Sequence, residues 1–324
     1  SSSTVDDSTN NKLFSFDMLG EGARTEKDAL RYFEAYAKAI DTIGQSNPAG
    51  DVYSANGISV KLSALYPRYE YSQREGVLST LLPRIKKLAL AAKHYSIGLS
   101  IDAEEARRLD LSLDIFESLA KDPDLAGWQG LGFVLQAYQK RAPLVAHWLI
   151  QLAEETKRCL MVRLVKGAYW DAEIKYAQEQ GMPDYPVFTR KVNTDLCYQH
   201  CAQLLLSAPK TIYPQFATHN AHTIAMVLTT AGETRFELQR LHGMGELLYQ
   251  TLFQYLKHNQ SAAPSVNTPP IRIYAPIGQH RELLPYLVRR LLENGANSSF
   301  VNRFLDEKMP VESLIQNIES QVLK

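Results

Sequence analysis

Eight short runs of apolar and β-branched residues alternate along this chain with longer segments of helical apolar spacing. The predicted strands are Leu13–Leu19, Gly57–Leu62, Ile97–Ala103, Gly132–Tyr138, Leu160–Val165, Thr211–Thr218, Phe236–His242 and Ile271–Pro276. Between strands, apolar residues recur four positions apart, as at Leu144, Trp148 and Leu152, which is typical of one helix face. This alternation indicates an α/β fold with a parallel sheet, and eight strands predict a (β/α)8 barrel.

A doubly wound sheet also alternates strands and helices, so the two architectures have to be separated. Doubly wound folds that bind dinucleotides carry a G-x-G-x-x-G turn, and this chain has none. The segment GMGELL, which starts at Gly243, reproduces only the first half of that motif. The barrel is therefore favoured. We expect a flexible tail over residues 1–12, one barrel domain over residues 13–324 and a surface loop at His258–Pro270.

Charge and cysteine content argue against several classes of protein. The 35 basic and 35 acidic residues give a formal net charge of +0, whereas a nucleic-acid-binding domain ordinarily carries a basic excess. No apolar run reaches the ~18 residues of a membrane-spanning helix, and the start of the chain does not resemble a signal peptide. The cysteines Cys159, Cys197 and Cys201 are too sparse for a disulfide scaffold, so we expect a cytoplasmic protein with Cys197 and Cys201 as helical thiols.

Polar residues occur at or near the carboxyl end of every predicted strand, where barrel active sites lie. They are Asp17, Lys61, Asp102, Gln136, Arg163, Lys166, Thr218, His219, Gln239, His242 and Tyr274. Each residue alone is explained as well by a solvated or capping role, but their common position predicts a functional rim above an apolar strand interior. Cations dominate the clearest positions, namely Lys61, Arg163 and Lys166, together with Arg289 and Arg290. Such a rim suits an anionic ligand, either a phosphate or a carboxylate.

The segment Val165–Trp170 predicts a tight turn at the exit of the fifth strand. Gly167 and Ala168 would let backbone N–H groups approach a ligand closely, and Tyr169 and Trp170 can cover a flat ring. An ordinary strand–helix loop with an aromatic pair explains the same residues, and that alternative stays open.

The dipeptide Arg289–Arg290 lies in the helical run YLVRRLLENGANSSF, which Gly295 is expected to end. Adjacent helical residues point about 100° apart, so both arginines can serve one ligand only if it lies against that helix. The alternatives are a solvated pair and an ion pair with Glu293.

Other chemistries remain as alternatives. His219 and His222 have H-x-x-H spacing, and His242 with Asp102 would complete a metal site, although we expect no metal because the surrounding rim is cationic. Lys61 or Lys166 would suit a Schiff base at a barrel rim. A metal- or Schiff-base-dependent lyase or hydrolase is therefore the alternative enzyme, and a non-catalytic ligand-binding module is a further possibility.

Eight fragments in a fixed order make the chain resemble a known family. They are VKLSALYPRY, IDAEEA, FVLQAYQKR, RLVKGAYWD, QFATHNAHT, LHGMGE, IYAPIG and YLVRRLLENGANSSF. Together they resemble the proline dehydrogenase family, most closely the proline dehydrogenase domain of bacterial bifunctional proline utilisation proteins (PutA), from about Ser15 to Asn302. The resemblance implies a distorted (β/α)8 TIM-like barrel that binds FAD non-covalently and has its last helix over the carboxyl-end rim.

The resemblance also implies roles for individual residues. The implied catalytic residues are Lys61, Asp102, Arg163 and Tyr169. The implied proline-binding residues are Lys61, Asp102, Tyr169, Leu241, Tyr274, Tyr286, Arg289 and Arg290, of which the two arginines clamp the carboxylate. The implied gate consists of Asp17, Glu21 and Arg289. The implied FAD-binding residues are Asp102, Ala103, Val134, Gln136, Arg163, Val165, Lys166, Gly167, Ala168, Tyr169, Trp170, Thr189, Arg190, Lys191, Thr218, His219, Asn220, Gln239, Leu241, Tyr274, Arg290, Glu293, Ser299 and Phe300.

The implied reaction is the oxidation of L-proline to Δ1-pyrroline-5-carboxylate, the first step of proline catabolism. Hydride would pass from proline C5 to flavin N5, and the electrons would leave to a quinone. The resemblance further implies partner modules in a longer parent protein, an aldehyde dehydrogenase and a DNA-binding module, and peripheral association of that parent with the inner membrane. One departure is Arg240, because relatives have a small residue before the position of Leu241.

Overall fold

The computed structural model describes residues 12–18, 20, 22–47, 50–260 and 268–278. Its strands form a closed barrel in the order β1-β2-β3-β4-β5-β6-β7-β8. The strands are β1 (Leu13–Met18), β2 (Gly57–Val60), β3 (Leu99–Ile101), β4 (Leu131–Gln136), β5 (Leu160–Val165), β6 (Ile212–Ala217), β7 (Glu237–Leu241) and β8 (Ile271–Ile277). All eight predicted strands are confirmed. The third is shorter than predicted, because the Ile97 amide still bonds to Ala92 at the end of the preceding helix.

Every strand pair is parallel, and β1 closes the barrel against β8 as well as β2. Ser15 stands beside Gly57 on one side and beside Tyr274 on the other. Parallel pairing brings the carboxyl ends of all strands to one rim, so residues that end different strands become neighbours. The predicted (β/α)8 barrel is thereby confirmed.

Nine α-helices accompany the strands in the described part of the chain. They are α1 (Glu26–Gln45), α2 (Arg74–Gly76), α3 (Leu82–His94), α4 (Leu109–Lys121), α5 (Ala142–Thr156), α6 (Trp170–Glu179), α7 (Lys191–Leu206), α8 (Ala221–Ala231) and α9 (Glu246–Gln260). Thr25 and Asp28 form a capping box that starts α1. Asn220 starts α8, because its side chain accepts a hydrogen bond from the Thr223 amide.

The main hydrophobic core lies between the barrel and its helices. Ile58, Phe133 and Leu164 from the strands are buried there, together with Cys197 and Cys201 from α7. Both lie in α7, which confirms the predicted helix, and both are buried free thiols. None of the described helices has the length and apolarity needed to cross a membrane.

Inside the barrel, one half carries small residues and the other half carries long polar ones. The small residues come from β1 to β4 and the segments next to them, and they are Ser15, Gly57, Ser59, Gly98, Ser100 and Gly132. A Cβ at Gly57 would lie 2.9 Å from the Gly98 carbonyl oxygen, so this half tolerates no larger residue there. The space admits Arg163 from β5, which hydrogen-bonds to β1 and β2 across the barrel. The expectation of an apolar strand interior is therefore wrong. Inside the barrel, Arg163 from one half hydrogen-bonds to the serine hydroxyls of the other half.

Candidate active site

Four buried side chains and one half-buried tyrosine converge near the carboxyl ends of the strands, and we call them the upper cluster: Asp17, Lys61, Asp102, Arg163 and Tyr274. The ammonium of Lys61 donates to Asp17 Oδ1 at 2.5 Å and to Asp102 Oδ2 at 3.2 Å. Arg163 Nη1 donates to Asp102 Oδ1 at 3.0 Å, and the Tyr274 hydroxyl donates to Asp102 Oδ2 at 2.7 Å. Residues from the carboxyl ends of five strands thus form one network at the rim, as their common position in the predicted strands indicated.

Burial and mutual charge fix the protonation of this cluster. Burial disfavours the charged form of Asp102, but Lys61 and Arg163 outweigh it and hold the pKa of Asp102 below its ordinary value. Burial also opposes the charge of Lys61, yet Asp17 and its other neighbours raise the pKa of Lys61 well above its ordinary value. Burial and the two carboxylates raise the pKa of Tyr274. At neutral pH, Lys61 and Asp102 are therefore ionised and Tyr274 is neutral.

The expectation of a predominantly cationic rim is wrong for the described part of the chain. Lys61 and Arg163 are matched by Asp17 and Asp102. Charges of both signs are close together there because unpaired ions in a buried, low-dielectric site are costly. The upper cluster is formally neutral, so it would hold a ligand by directed hydrogen bonds more than by net charge.

Lys166 is paired as well, with a carboxylate that sequence reasoning missed. Its ammonium contacts Asp195 Oδ1, and Lys191 Nζ lies 2.8 Å from Asp195 Oδ2. Burial lowers the pKa of Lys166 against the opposing effect of Asp195. The spacing of Lys191 and Asp195, four residues apart on α7, was the available signal in the sequence.

Three acceptors hold the guanidinium of Arg163, and one of its three nitrogens has no partner among the described residues. Nη1 donates to Ser59 Oγ at 3.0 Å as well as to Asp102, and Nη2 donates to Ser15 Oγ at 2.9 Å. The Nε–H is buried and has no partner among the described residues. The guanidinium also lies 5.0 Å from the centre of the Tyr274 ring. The Nε–H lies near the carboxyl-end rim, where barrel enzymes bind their ligands, so we interpret it as a candidate ligand donor.

The predicted tight turn after β5 is present. Gly167 has φ 140°, a left-handed conformation that favours glycine, and a Cβ there would lie 2.4 Å from the Tyr138 ring. The next amide, of Ala168, donates to Gln136 Oε1 at 3.4 Å. Trp170 is 41% exposed, and its indole N–H donates to the Phe188 carbonyl. The turn thus places half-buried Gly167 and Ala168 and partly exposed Trp170 directly after the strand that carries Arg163.

Glu104 is a second rim residue that sequence reasoning missed. Its Oε1 accepts from the Ser63 amide at 3.0 Å, and its carbonyl accepts from Gln136 Nε2 at 2.9 Å. Ser63 in turn accepts from the amides of Gly22 and Ala23, in the loop after β1. Burial raises the pKa of Glu104. Glu104 therefore links the loops that follow β1, β2 and β3 to the end of β4, and its only signal was the acidic pair in IDAEEA.

The segments at the ends of β6 and β7 are joined by a hydrogen bond. His219 Nε2 accepts from the Leu241 amide at 3.1 Å, and Thr218 Oγ1 accepts from the Asn220 amide at 3.1 Å. Arg240, the departure from the family pattern, donates to the carbonyls of Leu241 and Met244 and so supports the turn after β7. Among the described residues, no three His, Cys, Asp or Glu side chains are grouped so that they could hold a metal ion.

The remaining predicted site residues fall into two groups. Of the described ones, Val134, Val165 and Gln239 lie in strands, Ala103 and Tyr169 lie after strands, and Thr189 and Arg190 lie directly before α7. Burial raises the pKa of Tyr169, and Gln239 donates to a buried glutamate, Glu237, at 2.6 Å. The others lie outside the described residues: Glu21, Tyr286, Arg289, Arg290, Glu293, Gly295, Ser299 and Phe300.

Comparison with known proteins identifies the family. A protein-family model described as "Proline dehydrogenase" matches residues 2–303. The bifunctional protein PutA of Klebsiella aerogenes is 53% identical over 315 residues, which cover 96% of this chain and 24% of PutA. The PutA of Salmonella typhimurium is 54% identical over 306 residues, which cover 93% of this chain and 23% of that protein.

A more distant relative and a solved structure agree. Proline dehydrogenase 1 of Bacillus subtilis (strain 168) is 26% identical over 290 residues, covering 88% of this chain and 79% of that protein. A crystal structure of a variant of Bradyrhizobium japonicum proline utilization A matches with a TM-score of 0.88 and 52% identity, covering 97% of this chain and 32% of that chain. This chain spans about a quarter of the PutA sequences that it matches. It belongs to the proline dehydrogenase family.

Proposed function

We propose that this chain oxidises L-proline to Δ1-pyrroline-5-carboxylate, with non-covalently bound FAD as the hydride acceptor and a quinone as the final electron acceptor. The observation that carries the proposal is the unpartnered Nε–H of Arg163, buried at the carboxyl-end rim of a barrel that belongs to the proline dehydrogenase family. The family supports proline as the substrate. The N–H supplies a donor where a flavin would need one.

The described residues fit FAD through the chemistry of their donors. Arg163 keeps one buried donor nitrogen without a protein partner, which suits a ring nitrogen, whereas the glycine at position 167 is explained by its φ of 140° and by the Tyr138 ring. We expect Arg163 and Gln136 to hold the flavin ring, and Lys166, Gly167 and Ala168 to hold its phosphate-bearing chain. When bound, FAD supplies the two-electron acceptor that amino-acid side chains lack.

Asp102 organises the proposed active site. It accepts hydrogen bonds from Lys61, Arg163 and Tyr274, so one carboxylate orients three side chains. Because Asp102 is held ionised and Lys61 protonated, their charges are steady near neutral pH. We infer that these residues orient proline C5 and supply a fixed electrostatic field rather than change charge during the reaction.

The substrate pocket extends from this cluster. We expect Tyr274, Tyr169 and Leu241 to face the pyrrolidine ring and Arg289 and Arg290, which lie outside the described residues, to bind the carboxylate. Asp17 contacts Lys61 inside the barrel, so its part in a gate with Glu21 and Arg289 stays a prediction. The quinone, the aldehyde dehydrogenase and DNA-binding modules of a longer parent, and a cytoplasmic place with peripheral membrane association also stay proposals.

The alternative Schiff-base chemistry at Lys61 is disfavoured by the described contacts. A Schiff base forms from a neutral amine, whereas two carboxylates hold Lys61 protonated. At Lys166, burial lowers the pKa toward the neutral amine, but the ammonium is held in an ion pair with Asp195.

Anaerobic addition of L-proline to FAD-loaded protein tests the proposal. We expect loss of the flavin absorbance in the visible range, with Δ1-pyrroline-5-carboxylate formed in equal amount to the FAD reduced. Bound FAD that keeps its oxidised spectrum at saturating proline would show that the proposed reaction is wrong. A control with D-proline checks that the loss of absorbance depends on a fitted substrate.

A further inference from the structure

Two buried serines, Ser15 and Ser59, face each other inside the barrel below the upper cluster. They are 3% and 0% exposed, and their Oγ atoms lie 3.2 Å apart. Each lies within a strand, Ser15 in β1 and Ser59 in β2, where an apolar residue would be expected in a barrel core. Their shared partner is Arg163, which reaches them from β5.

The two hydroxyls fix the orientation of the guanidinium. Ser59 accepts from Nη1 at 3.0 Å and Ser15 accepts from Nη2 at 2.9 Å. Because the guanidinium is a rigid plane, holding both terminal nitrogens also sets the direction of the Nε–H. Asp102 holds only Nη1 and is shared with two other donors. Nη2 has no carboxylate partner among the described residues.

Hydroxyls do this without cancelling the positive charge of Arg163. The upper cluster already has two acids, Asp17 and Asp102, against Lys61 and Arg163. A further carboxylate at position 15 or 59 would make the cluster formally negative and would weaken the field of the guanidinium. A serine accepts the hydrogen bond and remains neutral, so the cation is held in place with its charge available to a ligand.

We propose that Ser15 and Ser59 are positioning residues, which aim the Nε–H of Arg163 at the bound flavin ring and thereby favour its reduction. The inference rests on the proposed function and deepens it, because it names the groups that make Arg163 effective. Both serines act through Arg163 and neither is expected to touch proline.

The test compares Ser15→Ala, Ser59→Ala and the double variant with the parent protein. Ser100→Ala is the matched control, because Ser100 is a buried serine of β3 whose hydroxyl does not bond to Arg163 in the described structure. The first readout is the midpoint potential of bound FAD, measured with a redox dye and without proline. The second is the rate of flavin reduction at saturating proline, with KM, FAD content and thermal stability measured alongside.

We expect the double variant to shift the FAD potential to a more negative value and to reduce flavin at least about tenfold more slowly, because a small misplacement of a catalytic donor is costly. KM and FAD content should change much less, and Ser100→Ala should match the parent. A purely structural role would lower thermal stability without moving the potential. The single variants keep the test decisive if the double variant does not fold.

The outcomes separate the two proposals. If proline reduces the parent's FAD but the serine variants keep its potential and rate, the positioning role is wrong and the proposed function stands. If proline leaves the parent's FAD oxidised while the potential still shifts in the serine variants, the proposed reaction is wrong and the positioning role stands. A parent protein that binds no FAD would overturn both.

Discussion

Two buried arginines of the same barrel, Arg163 and Arg272, differ in how completely their donors are used. Arg272 donates Nε to Glu237 Oε1 at 2.8 Å and Nη2 to Glu237 Oε2 at 3.0 Å. Its Nη1 and Nη2 also reach the carbonyls of Ala55 and Tyr53 at 2.6 Å and 3.0 Å. All three nitrogens of Arg272 therefore have partners, whereas the Nε of Arg163 has none among the described residues.

The surroundings of Arg272 form what we call the lower cluster: Tyr213, Gln215, Glu237, Gln239 and Arg272. Glu237 is 0% exposed and accepts hydrogen bonds from all four other members. The lower cluster thus pairs its charges and uses every nitrogen of Arg272, although the amide oxygens of Gln215 and Gln239 have no partner among the described residues. It ties β6, β7 and β8 to the segment before β2. From this contrast we infer that a buried arginine whose nitrogens all have partners serves stability. A buried arginine at the rim with one unpartnered nitrogen has a donor available to a ligand.

The largest effect is expected from breaking the lower cluster at Arg272. Arg272→Met leaves Glu237 buried and without its cation, which should lower the free energy of unfolding by about 3–5 kcal/mol. Urea denaturation monitored by circular dichroism measures this free energy of unfolding. The double variant with Glu237→Gln should lose less than the sum of the two single changes, because it also removes the stranded charge. A loss below about 1 kcal/mol for Arg272→Met would contradict the structural role.

Removing Arg163 should instead affect activity first. Arg163→Met should slow proline-dependent flavin reduction by about 100-fold or more, as expected when a donor to a developing charge is lost. It should destabilise the fold less than Arg272→Met, because Asp102 keeps Lys61 and Tyr274 as partners. Rapid-mixing spectroscopy and urea denaturation on the same preparations test both halves. Equal losses of stability in the two variants would remove the distinction between the clusters.

A matched pair of tyrosines sharpens the comparison, since each cluster has one that donates to its carboxylate. Tyr274 bonds to Asp102 at 2.7 Å and Tyr213 bonds to Glu237 at 3.3 Å. Either change to Phe should cost about 0.5–1.5 kcal/mol of stability. Only Tyr274→Phe should also alter kcat/KM for proline. A kinetic effect of similar size in Tyr213→Phe would show that the lower cluster is not confined to stability.

The smallest expected effect concerns the pH dependence of stability at Glu104. Burial raises the pKa of Glu104 in the folded state. Its protonated form therefore contributes fully to folding stability below the ordinary pKa of glutamate, and this contribution is lost as the pH rises through the raised value. Relative to the parent protein, Glu104→Gln should therefore gain stability as pH increases across that window. Glu105→Gln, at the partly exposed neighbouring position, is the control. A stability difference that stays constant with pH would contradict the shift.

The sequence alone determined the barrel and much of its rim. Periodicity of two and of about four residues is a local property, and it located all eight strands within a few residues of their observed bounds. Parallel pairing then requires the carboxyl ends to meet, so Lys61, Asp102, Arg163 and Tyr274 were predicted as neighbours before any contact was known. The proline dehydrogenase family followed from ordered fragments, which are likewise local.

Only the tertiary structure decided which side chains are partners. Lys61 and Asp17 are 44 residues apart, and Arg163 and Ser15 are 148 apart. Such pairs depend on the register and closure of the barrel, which no local pattern encodes, and for that reason the rim was predicted as cationic when its described charges are paired. The same closure gives Arg163 and Arg272 different surroundings. Both look alike as arginines in apolar strands, but the packing around each one decides whether a donor is left over for a ligand.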